Sequence, residues 1–133
     1  MAKAKLVSQL LVEAPNKVGM MAEVTSAIAG AGVNIEGICA YGMEGKAEFM
    51  IITDNNAKAQ EALGKKGWVI KTEEVVSVTL DNEVGAAKEM ADKIKQAGID
   101  IRYIYGTTCG IKDCSSTIVV ASKDNKGIVR AIS

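Results

Sequence analysis

Two short stretches, Asn16-Lys17-Val18-Gly19-Met20 and Asn82-Glu83-Val84-Gly85-Ala86, carry the residue types best suited to holding a small charged molecule. Each opens on an asparagine, whose side-chain amide both donates and accepts hydrogen bonds. Each has a glycine three residues on, where the missing Cβ lets a ligand come close to the backbone. An apolar helical pattern follows both. The first N–H groups of a helix have no intrahelical partner, and its dipole favours an anion there by about 0.3–1 kcal/mol. Such donors are ready to receive an anion or a carboxylate. Helix capping accounts for the same asparagines with no ligand at all, and a tight turn accounts for the glycines.

Little else in the chain offers chemistry. Histidine is absent, which removes the commonest general base, nucleophile partner and zinc ligand. Cys109 and Cys114 flank Gly110-Ile111-Lys112-Asp113, and Cys39 stands apart. A metal site would need more ligands than these supply, so the pair is expected to be unpaired thiols in a hairpin. No nucleophile–base pair or phosphate loop is visible, and the expectation is a protein that is not an enzyme, with no cofactor and no metal.

The composition points the same way. Among 133 residues, Lys+Arg and Asp+Glu both number 16, so no basic excess exists to capture nucleic acid or an anionic membrane. Aromatic residues make up 4%, thin for base stacking, and Tyr103 and Tyr105 on one strand face are expected at a protein interface instead. The apolar run Leu6 to Val12 is too short for a signal core or a membrane span. With an odd number of cysteines, the expectation is a cytoplasmic protein.

The elements that must position the two turns repeat at an offset of 66 residues. Lys5 to Glu13 reads as a strand, followed after Pro15 by a helix with Val18, Met21, Val24, Ile28 and Ala31 on one face. Gly32 ends it. Strands follow over Val33 to Tyr41 and Ala47 to Thr53, then a helix capped by Asp54-Asn55-Asn56, then a strand from Trp68. The second half gives a strand over Val75 to Leu80 and a helix face of Val84, Ala87, Met90, Ile94 and Ala97. It continues through a strand to Tyr105, a longer hairpin, Thr117 to Ala121, and a last helix with Ile128, Val129 and Ile132. The repeat implies two domains, 1–73 and 74–133. The fold class is α+β: two tandem ferredoxin-like βαββαβ units, the second lacking its final strand, with antiparallel sheets and the helices on one face. The missing strand would leave an edge open, covered by the first repeat's sheet or by a second chain in a homodimer.

A βαββαβ unit with Asn-x-x-Gly at the first strand–helix turn, then Gly32-Val33-Asn34-Ile35 into the second strand, resembles an ACT domain, here in two copies. Gly98-Ile99-Asp100-Ile101 matches that segment in the second half. Family members usually place proline before the glycine, where this chain has Val18 and Val84. The resemblance implies regulatory binding of an amino acid or related metabolite between units. On this reading the ligand contacts are Asn16, Lys17, Val18, Gly19, Met20, Asn34 and Ile35 in the first copy. In the second they are Asn82, Glu83, Val84, Gly85, Asp100 and Ile101. In serine-sensing members the turn also uses a histidine, which falls on Ala14 here, so serine specificity does not transfer. The implied partner is an enzyme of amino-acid metabolism. The alternative is a structural or adaptor module that mediates protein–protein contact without a ligand.

Overall fold

The computed structural model describes residues 2–133. Its elements in order are β1 (Lys3–Pro15), α1 (Met20–Gly30), β2 (Ile35–Met43), β3 (Lys46–Thr53), α2 (Asn56–Gly64), β4 (Val69–Leu80), α3 (Ala86–Gln96), β5 (Tyr103–Thr108), β6 (Ser116–Ala121) and α4 (Asn125–Ile132). The chain divides into two compact units. One is Ser8–Glu73; the other joins residues 2–7 to residues 74–133. No helix among the described residues is long and apolar enough to cross a membrane.

In the first unit the strand order is β2-β3-β1-β4. β3 runs antiparallel to both neighbours, with Val12 opposite Phe49 and Cys39 opposite Met50. Alternation along β1 buries Leu10, Val12 and Ala14, and along β3 it buries Ala47, Phe49 and Ile51. Met20, Val24 and Ile28, four residues apart on α1, close over that face together with Ala59 and Leu63 of α2. Each fully buried Leu or Ile contributes about 1.5–3 kcal/mol. A Schellman motif ends α1: Gly32 takes the left-handed conformation and the Val33 N–H reaches the Ile28 carbonyl at 3.3 Å.

The second unit has the order β1-β4-β6-β5 and its own core of Val76, Val78, Met90, Ile94, Val120, Ile128 and Ile132. Val78 lies opposite Ile118, and Ile104 opposite Val120. No strand follows α4 among the described residues, and the place beside β4 is taken by β1. β1 begins at Lys3 rather than Lys5, its first residues belong to this unit, and Ala2 and Ala4 pack on its core. The strand beside β4 in this unit thus comes from the start of the chain, so the edge argument for a homodimer no longer holds. The expected division at residue 73 also assigned residues 1–7 to the first domain, whereas residues 2–7 side with the second unit.

The two units close their second helices in matching ways. Asn55 caps α2 by accepting from the Lys58 N–H, and Asp124 caps α4 by accepting from Gly127. The next residue in each case is an asparagine that ties the helix start to a strand, β1 for α2 and β4 for α4. Asn56 donates to the Ser8 carbonyl at 2.9 Å, and Asn125 donates to that of Glu74 at 2.7 Å.

Candidate functional site

α1 and α3 both begin behind a glycine in the left-handed region, Gly19 and Gly85, each with φ 89°. A Cβ at either would meet nothing within 4 Å, so backbone conformation, not crowding, calls for glycine there. The turn hydrogen bonds also match: Met20 N–H to the Lys17 carbonyl and Ala86 N–H to that of Glu83, both at 3.3 Å. Neither N-cap has a side-chain cap. The capping role read for Asn16 and Asn82 is therefore corrected. The N-cap falls three residues later, out of reach of a local asparagine cap.

The asparagines instead clasp the hairpin of their own unit. Asn16 Nδ2 donates to the Met43 carbonyl at 3.0 Å, and Asn82 Nδ2 donates to that of Ile111 at 3.1 Å. Gly42 belongs to the first clasp, since a Cβ there would come within 2.8 Å of Asn16 Nδ2. Beside it, the Tyr41 hydroxyl donates to Glu48 at 2.9 Å, and that bond raises the phenol above its ordinary pKa. The sequence held a signal for the clasp in a hairpin glycine opposite a repeated asparagine, but no spacing rule connects residues 27 apart.

The remaining candidates divide sharply by burial. Val18 and Val84 are fully exposed at 102% and 106%, and Met21 is half exposed, whereas Met20 is buried at 4%. Two expectations fail for one reason. The helices start after the left-handed glycine, so the periodicity cannot extend back through Val18 or Val84, and the inward stripe runs from Met20. Met20 packs in the core, whereas Ala87 faces out. Lys17 is exposed and pairs with Glu23 at 3.7 Å, while Glu83 is exposed in its turn.

Asn34 is exposed. Its backbone is fixed to Asp54, with Asn34 N–H to Asp54 Oδ1 at 3.0 Å and Asp54 N–H to the Asn34 carbonyl at 3.1 Å. Asp100 is also exposed, its carbonyl accepting from the Ser122 hydroxyl at 2.7 Å. Ile35 and Ile101 are half-buried against their own cores. Within a unit the turn and the strand start lie at opposite ends. Pro15 sits opposite Lys46 at one end of β3, and Ile35 sits opposite Thr53 at the other. Seven steps of extended strand separate those ends by about 23 Å. In the second unit, Leu80 opposite Ser116 and Tyr103 opposite Ala121 are five steps apart, about 17 Å. No free amino acid spans either distance.

Two further features bear on chemistry. Cys109 and Cys114 are joined in a disulfide, with Cα atoms 6.3 Å apart, inside the usual range. The expectation of unpaired thiols is thus corrected, and Cys39 alone is free. A cavity of about 320 Å³ in the second unit is lined by Leu80, Asp81, Glu83, Ala86, Glu89, Met90, Lys93 and residues at both chain ends.

Residues 8–65, nearly the whole first unit, match the family model of the ACT domain. No curated protein matches the sequence. Among solved structures, a protein from Bacteroides thetaiotaomicron superposes with a TM-score of 0.86 at 21% identity, covering 96% of this chain and 87% of its own. The ligand-free regulatory subunit of aspartate kinase from Thermus thermophilus gives 0.69 at 15% identity, covering 97% and 93%. That from Thermus flavus gives 0.64 at 18%, covering 98% and 94%. These likenesses extend over both units and speak for the fold. By that match residues 8–65 form an ACT domain, and the fold alone extends the likeness over both units.

Proposed function

We propose that this chain is a regulatory module without chemistry of its own, built from two ACT-type units and responsive to an amino acid or a related metabolite. One observation carries the reading: the same strand–helix turn, with a left-handed glycine before the helix and an asparagine tied to the hairpin, is built twice. Each turn presents the first N–H groups of a helix beside open space, which suits a carboxylate. Asn34 or Asp100 contributes only from another unit, because within one unit it lies too far from the turn. The ligand therefore bridges units, of this chain or of two chains in a homodimer, and favours whichever packing completes its site. The output is altered contact with a partner enzyme of amino-acid metabolism in the cytoplasm.

The test is a thermal-shift and calorimetric titration of the intact chain with each free amino acid. A ligand at a hundredfold excess over its Kd stabilises by about 2.7 kcal/mol, which raises Tm by several degrees. Asn34→Ala removes that shift while leaving the ligand-free Tm unchanged, since only the Asn34 backbone is engaged. Failure of every amino acid to shift Tm overturns the reading. It would favour the adaptor alternative, which has its own support in the fully exposed Val18 and Val84 at the tips of the turns.

A further inference from the structure

The two clasps differ in what stands behind the accepting carbonyl. In the first unit the Met43 carbonyl sits at a short hairpin turn that contains no cysteine. In the second, the Ile111 carbonyl accepts from Asn82 Nδ2 at 3.1 Å and from the Cys114 N–H at 3.2 Å, and the Cys109 Sγ of the disulfide lies in contact with it at 3.8 Å. The disulfide closes a loop of only four intervening residues, two of which, Gly110 and Asp113, have left-handed backbones with φ 76° and 71°. Asp113 is the sole non-glycine residue so placed among the described residues. A crosslink this short, in an exposed hairpin, ties no core elements together. Stabilisation by a disulfide grows with loop length, so what this bond constrains is the orientation of the Ile111 carbonyl. Cys109 is exposed and Cys114 half-exposed, open to a small thiol reagent.

We propose that Cys109 and Cys114 form a reversible thiol–disulfide site that exchanges with a low-molecular-weight disulfide or dithiol. Through Ile111, its state sets how firmly Asn82 holds the second unit's strand–helix turn. In the oxidising direction one cysteine thiolate attacks a sulfur of the small disulfide and expels one thiolate. The other cysteine thiolate then attacks the mixed disulfide at the protein sulfur and expels the second. Two electrons pass from the protein thiols to the reagent, two protons leave the cysteines, and two small thiols result. A dithiol reverses the sequence and leaves as its own cyclic disulfide. With the bond open, nothing covalent holds Gly110 and Asp113 in their left-handed geometry, and the Asn82 hydrogen bond loosens. The first unit has no such control. This inference does not depend on the ligand reading and is measured with no ligand present.

The experiment equilibrates the full chain in buffers of reduced and oxidised glutathione, traps thiols by alkylation, and counts them by mass spectrometry. Cys109 and Cys114 are expected to titrate together and reversibly, while Cys39 remains alkylatable throughout. Hydrogen exchange at the Ala86 and Glu89 amides of the second turn should speed up about fivefold on reduction, the effect of losing about one net hydrogen bond. The matching Met20 and Glu23 amides should not change. Cys109→Ser/Cys114→Ser should exchange like the reduced protein in every buffer, and Asn82→Ala should exchange alike in both states. A pair that glutathione neither opens nor re-forms overturns the proposal. Equal exchange of the second turn in both states overturns it too.

Discussion

Both units hold the strand–helix turn with an asparagine on a hairpin carbonyl, but only the second hairpin is crosslinked, and the contrast separates what the turn requires from what is added to it. Common to both are the left-handed glycine, the asparagine three residues earlier, and a hairpin carbonyl that accepts its amide. In the first unit Gly42 leaves room for Asn16, and Tyr41 reaches across to Glu48. At the corresponding place in the second unit Thr107 faces Thr117, and the hairpin is held by Cys109 and Cys114. The shared parts are what any ligand at the turn would meet. The unshared parts govern how rigidly each turn is presented.

The largest expected effect tests whether the two cores stand apart. Ile28→Ala and Ile94→Ala should each cost about 2–5 kcal/mol, as large-to-small changes at fully buried sites do. Hydrogen exchange should rise first in β2 and β3 for Ile28→Ala, and in β5 and β6 for Ile94→Ala. If either substitution loosens both sets of strands equally, the separate cores are a misreading. Next come the glycines. Gly19→Ala and Gly85→Ala should each lose about 1–2 kcal/mol in denaturant melts, the cost of a left-handed non-glycine residue. The losses should be nearly equal, because both have the same φ and open surroundings; a clear inequality would show that the turns are not equivalent.

The smallest effect lies in pH. Tyr41 donates to Glu48, which raises its folded pKa, and the donating form is the protonated one. The stability it adds is therefore complete below the unfolded phenol pKa and lost as pH rises through the folded value. Tyr41→Phe should remove that alkaline decline, by a small amount at so exposed a side chain. Absorbance titration should show the Tyr41 phenolate forming above the ordinary tyrosine range, and Glu48→Gln should bring it down. An unchanged titration in Glu48→Gln would remove the hydrogen bond as the cause.

Much of the architecture was legible because it rests on local rules. An apolar run marked β3, and four-residue spacing marked Val24 and Ile28. Asn55 read as a cap, and Gly32 read as a helix end. The candidate site was less legible. Asn16 was found as a turn residue but given the wrong hydrogen bond, since its partner lies 27 residues away. Val18 was placed on the inward face because periodicity carries no mark of where a helix starts, and one left-handed glycine resets the phase. The separation of Asn16 from Asn34 follows from strand direction, which a list of elements already implies once β3 is laid beside both neighbours.

By itself the sequence determined the repeat at 66 residues, the order of elements in each copy, and the glycines at each helix start, because all of these are set by steric limits and short-range periodicity. Tertiary structure decided which unit receives the first residues of β1, which carbonyl each turn asparagine holds, and that Cys109 meets Cys114. Those outcomes depend on which distant edges and hairpins are brought within hydrogen-bonding or bonding distance, and no local preference encodes that.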